Sequence, residues 1–230
     1  MSASNQPPTN QRVSDVPFQI WALVGIMAAI EVVLSLADRG IIGSPDWRAT
    51  MVIYGAFWSP LLSGELLPAF DAQPVTMFLS HAFLHGGMFH LLMNTVVLLS
   101  LGKFLSSLSG PWPVIGLFAV SAIGGGIVFG LINSSNAPML GASGAVFGFL
   151  GAWQFFEAAK LRRTGQSLKP VFSTCVGLVV ANILIALVLQ GALAWEAHLG
   201  GFIAGILMGP VLLRLAQNRA RRRFEASRKF

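Results

Sequence analysis

Side chains that could carry out hydrolysis stand near the start of three apolar segments of this chain. A serine hydroxyl can act as a nucleophile when a histidine takes its proton, and neighbouring N–H groups can stabilise the oxyanion that forms. The chain offers one such serine, one such histidine, and a group of histidines that ends with an asparagine. These residues are Ser143, His198, His90 and Asn94, with His81 and His85 shortly before them.

Ser143 and His198 are the candidate nucleophile and general base. Ser143 lies in Gly-Ala-Ser-Gly at 141–144, and His198 lies in Ala-His-Leu-Gly-Gly at 197–201. The ordinary imidazole pKa of about 6.5 suits a base that works at neutral pH. Glu196 precedes His198 by two residues and therefore points to another helix face, so the pattern predicts a dyad without a carboxylate. The alternative is that the serine only fills helix packing and the histidine is a core residue.

His90 and Asn94 are the candidate oxyanion donors. They are four residues apart, so on a helix they share one face and can aim at one point. An asparagine amide and a neutral imidazole each donate hydrogen bonds. Ser143 is expected at a helix N-terminus, where free backbone N–H groups add to the same pocket.

A metal site is the competing interpretation of the histidine group. His81, His85 and His90 could supply three imidazoles to a metal ion. No Cys, Asp or Glu joins them in the motif, and the step from His85 to His90 is not the usual helical ligand spacing. We therefore favour a site without a metal.

The segments that carry these residues have the composition of a membrane protein. The chain is 54% hydrophobic and only 10% charged, and its mean hydropathy is +0.70. Cys175 is the only cysteine, so no internal disulfide can form. Apolar runs long enough to cross a bilayer, which takes about 20 residues each, predict one bundle of six helices. The runs are 18–37, 88–108, 112–132, 140–159, 171–190 and 195–215.

The basic residues predict how the bundle is oriented. With six spans both termini lie on one side, and if that side is the cytoplasm, the inside segments carry thirteen of the 15 Lys and Arg residues. We therefore expect a cytoplasmic N-terminal tail at 1–17, a membrane domain at 18–215 and a basic cytoplasmic tail at 216–230. Topology and attraction to anionic lipid explain this basic tail better than binding to nucleic acid does.

The predicted topology brings the candidate residues to one depth. Spans two, four and six all run from the outer face inward, so residues near their starts lie in a common layer of the outer leaflet. Glycines repeat along spans four and six and would let these two helices approach closely, which would bring His198 towards Ser143. The same glycines would serve packing even in an inert protein.

The longest connection joins spans one and two, at about residues 38–87. Its apolar stretch at 51–62 is too short to cross a bilayer, so we expect this outer loop to lie partly embedded in the outer interface. Glu31, an acid within span one, is expected to make a structural hydrogen bond.

Taken together, the motifs resemble those of the rhomboid family of intramembrane serine proteases. The similarity covers residues 18–215 and rests on three patterns that fall in order on spans two, four and six. The resemblance implies an all-α membrane protein, a six-transmembrane-helix rhomboid-like bundle with a long outer loop between helices one and two. The patterns are His81-x3-His85-x4-His90-x3-Asn94, Gly141-Ala142-Ser143-Gly144 and Ala197-His198-x2-Gly201-x3-Gly205.

The resemblance also implies an activity, which is hydrolysis of peptide bonds in or next to transmembrane segments of other proteins, near the outer face and without a metal or cofactor. Ser143 would be the nucleophile and His198 the base, while His90, Asn94 and the backbone N–H of Ser143 would form the oxyanion hole. Apart from the resemblance, since the sequence shows no transit-like segment, a bacterial inner membrane is the expected location. The supporting residues would be His81, His85, Phe147, Gly141, Gly144, Gly201 and Gly205.

At three places the chain departs from the pattern of many family members, and one of them is Ser106, which stands near a place late in span two where a glutamate is common. Thr76-Met77 stands where a Trp-Arg pair is common, and Phe147 stands where a tyrosine is common. Phe147 can still stack on His198 but has no hydroxyl to donate. All three departures affect support and stability, and they leave the nucleophile, base and oxyanion donors in place.

Two other classes of function are weaker alternatives. An inactive relative that holds membrane proteins for other machinery would be expected to lack the serine or the histidine, and both are present. A small transporter could use the glycines at 124–126 as the break in a discontinuous helix. No inverted repeat is visible, which argues against the transporter.

Overall fold

The computed structural model describes residues 15–133, 136–188, 190 and 193–228. Nine α-helices make up most of this described part, with one short 3-10 helix at His81–Phe83. The helices are α1 Phe18–Asp38, α2 Trp47–Gly55, α3 Pro60–Ser63, α4 Gln73–Ser80, α5 Met88–Ser109, α6 Pro111–Ile132, α7 Ser143–Arg163, α8 Lys169–Val188 and α9 Trp195–Ser227.

The six long helices, α1 and α5 to α9, correspond in order to the six predicted spans. The predicted all-α membrane bundle is thus confirmed as a fold. The main difference in bounds is α9, which continues to Ser227, so most of the predicted tail at 216–230 is helical. Alanine and arginine favour helix here, and Arg221 pairs with Glu225 one turn later at 2.8 Å. Most of the predicted N-terminal tail lies outside the described residues.

Five of the six long helices are individually long and apolar enough to cross a membrane. The exception is α7, which carries glycines together with Gln154, Glu157 and Lys160. This helix packs mainly against α9 and α6, and Gln154 is buried in the bundle. A helix enclosed by other helices needs fewer large apolar side chains than one that faces lipid.

The outer connection between α1 and α5 is folded into short helices. The apolar stretch at 51–62 is divided between α2 and α3, with a break at which Phe57 pairs with Met139 as an isolated antiparallel bridge. The two backbone hydrogen bonds of this bridge measure 2.8 and 2.9 Å. The Phe57 ring is fully buried and meets the rings of Phe78 and Phe129 edge to face. This contact fixes the outer loop to the segment that precedes α7.

A second anchor of the outer loop is Arg48, on α2. Its guanidinium lies 2.9 Å from the fully buried Glu31 carboxylate of α1 and 2.6 Å from Asp38 at the end of α1. It also donates a 2.8 Å hydrogen bond to the carbonyl of His85. The structural hydrogen bond expected of Glu31 is therefore present, because Glu31 accepts from Arg48 and also from Ser35.

The glycines at 124–126 lie within α6, which is continuous from Pro111 to Ile132. A Cβ at Gly124 would contact Ala204, and a Cβ at Gly125 would press on the Ala197 carbonyl, so both glycines face α9. The broken helix that the transporter alternative required is absent from this described helix, and Gly124 and Gly125 instead allow α6 and α9 to pack closely.

Candidate active site

Helices α7 and α9 touch along their glycines. A Cβ on Gly201 would overlap the carbonyl of Gly144, and a Cβ on Gly205 would overlap the carbonyl of Gly148. Neither overlap involves a flexible side chain, so the two backbones could not stay this close if a larger residue replaced either glycine. The close contact predicted between spans four and six is present, and it places the N-terminal turns of the two helices side by side.

Ser143 and His198 meet at this contact. Ser143 is the first residue of α7, and His198 lies in the first turn of α9. The Nε2 atom of His198 is 2.8 Å from the Ser143 hydroxyl oxygen. This distance is within the range expected for a nucleophile that passes its proton to a general base. His198 is only 6% exposed, so little water competes for its ring nitrogens.

The ring of Phe147 covers one face of the His198 imidazole. Phe147 lies one turn after Ser143 on α7, and its ring stacks on the imidazole with centroids 4.2 Å apart and planes 7° from parallel. The stacking expected from the sequence is thus present without a tyrosine hydroxyl. It restricts the imidazole to one plane, which contains the direction to Ser143.

Asn182 makes a contact with His198 that sequence reasoning missed. Its side-chain oxygen is 2.6 Å from Nδ1 of His198, and it belongs to α8, sixteen positions earlier in the chain. The available signal was the amide itself, because a polar side chain within an apolar span is costly and usually faces the protein interior.

His90 packs against the turn that leads into α7. A Cβ on Gly141 would come within 2.6 Å of the His90 ring, and Gly141 has a φ of +121°, a conformation that side chains disfavour. The Nδ1 atom of His90 accepts a 3.4 Å hydrogen bond from the Gly86 backbone N–H. Because Nδ1 accepts, the proton of the neutral ring lies on Nε2, which can then donate.

Asn94 lies one turn after His90 and is 5% exposed. One hydrogen of its amide is donated to the His90 carbonyl at 3.0 Å, within the same helix. An amide nitrogen carries two hydrogens, and this bond uses one of them. The two candidate oxyanion donors are thus on one face of α5, as their spacing predicted.

His81 and His85 lie in the connection between α4 and α5. Burial lowers the pKa of His81 to about 4, and its Nε2 lies 3.3 Å from the Ala122 carbonyl on α6. Burial, and secondarily the nearby His90, also lowers the pKa of His85 to about 4. Both rings are therefore neutral at pH 7. The His81 carbonyl accepts a 2.9 Å hydrogen bond from the Gly141 N–H, which holds the turn before Ser143.

The histidines do not converge on one point. The His85 and His90 rings are 5.2 Å apart, while His81 faces the Ala122 carbonyl instead. Among the described residues, no group of three or more His, Cys, Asp or Glu side chains could hold a metal ion.

An apolar cavity of about 680 Å³ adjoins His198. It lies between α8 and the pair α7 and α9, and none of the described residues of α8 is buried. Such a space can take an apolar segment next to the serine and histidine. Its walls include Phe147, Leu178, Val179, Asn182, Trp195 and Phe202.

Comparison with known proteins gives a consistent match. A family model described as a Rhomboid domain matches residues 72–215, which is more than half of the chain. RHOMBOID-like protein 4 of Arabidopsis thaliana is 41% identical over 135 residues, covering 59% of this chain and 33% of that protein. Rhomboid protein 1, mitochondrial, of Saccharomyces cerevisiae is 33% identical over 160 residues, covering 64% of this chain and 44% of that protein.

A third relative matches over a longer region. Rhomboid-like protease 3 of Toxoplasma gondii is 26% identical over 191 residues, covering 82% of this chain and 66% of that protein. The chain thus spans between a third and two thirds of the length of these three relatives.

Proposed function

We propose that this chain, which belongs to the rhomboid family, is a serine endopeptidase that hydrolyses peptide bonds in or next to transmembrane segments of other proteins. The observation that carries the proposal is the 2.8 Å contact between the Ser143 hydroxyl and Nε2 of His198. These two residues come from separate helices. The Phe147 ring stacks on His198, and an apolar cavity adjoins the pair. The name of the Toxoplasma gondii relative, a rhomboid-like protease, agrees with this activity.

In the proposed first step, the Ser143 oxygen attacks the carbonyl carbon of the scissile bond while its proton moves to Nε2 of His198. The C–N bond then breaks, and His198 gives the proton to the departing amine. Water attacks the remaining ester in the second step, again with His198 accepting its proton. The bond between the acyl carbon and the Ser143 oxygen then breaks, His198 returns its proton to that oxygen, and the carboxylic acid product leaves.

The oxyanion formed in each step is proposed to lie between α5 and the start of α7. His90 can donate from Nε2, Asn94 from its amide, and Ser143 from its backbone N–H. No side chain in the described part of the chain caps the N-terminus of α7, so the N–H groups of its first turn are available to stabilise negative charge. Preorganised donors of this kind are worth about 3 kcal/mol each in other hydrolases.

The proposed substrate is a transmembrane segment that becomes locally unwound. An intact helix hides its peptide bonds in its own hydrogen bonds, so the bond to be cut must leave the helical conformation. The apolar cavity beside His198 supports entry of such a segment from the lipid. We further propose a bacterial inner membrane, with the active site near the outer face and both termini in the cytoplasm.

The proposal is tested by comparing the wild type with Ser143→Ala and His198→Ala in proteoliposomes that hold a transmembrane reporter. Each substitution should reduce kcat/KM by at least about 10³-fold, because nucleophile and base act as a unit. A serine-directed phosphonate should label Ser143. Ser100→Ala is the matched control, since Ser100 is exposed on α5 and bonds only within its own helix. Undiminished cleavage by Ser143→Ala would exclude the proposed mechanism.

A further inference from the structure

We infer that Asn182 is a positioning residue that fixes the tautomer and the orientation of His198, so that α8 supplies a third member of the catalytic arrangement. This inference rests on the proposed function. The side-chain oxygen of Asn182 lies 2.6 Å from Nδ1 of His198, opposite the nitrogen that faces Ser143. In other hydrolases an asparagine can hold the catalytic histidine in this way.

The hydrogen bonds around Asn182 determine which end of its amide faces the histidine. The amide nitrogen donates a 2.9 Å hydrogen bond to the Leu178 carbonyl, one turn earlier on α8. Turning the amide over would place its oxygen against that carbonyl, and two acceptors would then face each other. The oxygen must therefore point at His198, and it can only accept.

An acceptor at Nδ1 selects one form of the neutral imidazole. Nδ1 must carry the proton and donate it to Asn182, which leaves the lone pair on Nε2 directed at the Ser143 hydroxyl. The other tautomer would have its proton on Nε2 and could not receive the proton of the serine. Holding the wrong tautomer removes most of the activity of a serine hydrolase even when its geometry is intact.

Asn182 and Phe147 restrict different motions of the same ring. Stacking on Phe147 fixes the plane of the imidazole but allows the ring to turn within that plane or to flip over. The hydrogen bond to Asn182 fixes the position of Nδ1 in that plane, and with it the direction of Nε2. With His198 only 6% exposed, water is a poor substitute for Asn182.

The position of Asn182 makes the site sensitive to the placement of α8. No described residue of this helix is buried, and the apolar cavity separates much of it from α9. Its polar contact with the site is the bond from Asn182 to His198. A shift of α8 away from α9 would lengthen this hydrogen bond. His198 is therefore correctly oriented only while α8 lies close enough to α9 for Asn182 to reach it.

The test compares Asn182→Leu and Asn182→Asp with the wild type in the same proteoliposome assay. Asn182→Leu has nearly the same size but no acceptor, and it should lower kcat about tenfold or more, with KM unchanged, because one net hydrogen bond to the base is lost. Asn182→Asp keeps an oxygen at this position and should restore most of kcat. Labelling of Ser143 by the phosphonate should slow in parallel in Asn182→Leu, since that reaction needs the base but no protein substrate.

Thr174→Val is the matched control on α8. The Thr174 hydroxyl donates to the Pro170 carbonyl of its own helix. Like Asn182→Leu, this substitution replaces a polar side chain of α8 by an apolar one of similar size, but it leaves the contact with His198 in place. We expect wild-type kcat from this variant. Unchanged melting temperatures would show that each variant is folded.

A direct measurement on the wild type keeps the inference testable even if Asn182→Leu fails to fold. The chain has 4 histidines, so ¹⁵N-histidine NMR with His198→Ala as the assignment control can identify the His198 signals. We expect a protonated Nδ1 and an unprotonated Nε2. The opposite tautomer, full kcat in Asn182→Leu, or a change in KM alone would overturn the role of Asn182. Cleavage that survives Ser143→Ala would instead overturn the proposed function.

Discussion

At the scale of single residues, the candidate site depends on restricting one imidazole. His198 has a hydrogen-bond partner at each nitrogen and an aromatic ring against one face. An imidazole that turned freely would spend much of its time unable to accept the serine proton. In the proposed mechanism each contact would contribute to catalysis by limiting motion, which lowers the entropy lost in reaching the transition state.

The contribution of stacking can be measured with Phe147→Ala. Aromatic pairs in such geometry contribute about 0.5–1.5 kcal/mol beyond burial, so the rate at which a phosphonate labels Ser143 should fall between about twofold and tenfold. Phe147→Tyr keeps the ring and should keep nearly full activity. The rate at which the phosphonate labels Ser143 is the appropriate measurement, since it does not depend on substrate entry through the cavity.

Phe172→Ala provides the control for loss of an aromatic residue. Phe172 is 72% exposed on α8 and should tolerate the change. Equal labelling rates in Phe147→Ala and the wild type would show that the stack is not needed to orient His198.

Residue spacing predicted part of this arrangement. Phe147 lies four residues after Ser143, so helical periodicity alone puts both on one face of α7. Asn182 is different, because it lies on another helix, and whether it faces His198 depends on how α8 is rotated about its own axis. The sequence of this apolar span does not specify that rotation, so it could not show that Asn182 faces His198.

At the scale of elements, the outer loop is held by contacts that the sequence did not reveal. Thr76-Met77 stands where a Trp-Arg pair is common in the family, so the usual anchor of this loop is missing. In the structure the loop is fastened by the Phe57–Met139 bridge and by Arg48. Arg48 and Glu31 are 17 positions apart on different helices, so periodicity within either helix could not identify the pair.

Removal of this arginine should loosen the outer loop. In Arg48→Ala the Glu31 carboxylate stays buried without its partner, and we expect the free energy of unfolding to fall by about 2 kcal/mol. Arg48→Lys should recover only part of the loss, since an ammonium cannot reproduce the several directed bonds of a guanidinium. Thermal unfolding of the purified protein in detergent measures the effect.

Arg39→Ala is the matched control because Arg39 carries the same charge in the same loop and is exposed. It should melt like the wild type. If the melting temperature of Arg48→Ala also equals that of the wild type, Arg48 does not anchor the outer loop.

Helix α7 illustrates a second difference between sequence and structure at this scale. We predicted it as a membrane span like the others, yet its hydropathy is lower than that of the other five long helices. Its glycines allow α9 to approach closely, and α6 and α9 cover much of its surface. High hydropathy therefore identifies the helices that face lipid. It is a weaker signal for a helix such as α7, which other helices surround.

At the scale of the whole molecule, the distribution of charge predicts the orientation in the membrane. Thirteen of the 15 basic residues fall in segments predicted to be inside. The predicted orientation would put Ser143 and His198 near the outer face, so it would decide on which side of the membrane the proposed cleavage takes place.

Single-cysteine labelling can test this orientation. In a Cys175→Ser background, Ser44→Cys lies in the outer loop and Gln166→Cys lies in the connection between α7 and α8. A membrane-impermeant maleimide applied to intact bacterial cells should label only the position at 44. Permeabilised cells provide the control, in which both positions should react. Labelling of 166 alone in intact cells would reverse the predicted topology.

The sequence by itself determined the apolar helices, their order, the identities of the candidate chemical groups and the glycine faces that let α7 and α9 meet. These features follow from local composition and from the helical period, which nearby residues specify. Only the tertiary structure decided which amide faces His198, how Arg48 reaches Glu31, and where the outer loop joins the segment before Ser143. Those contacts depend on the rotation and relative height of packed helices, which side chains distant in the chain determine together.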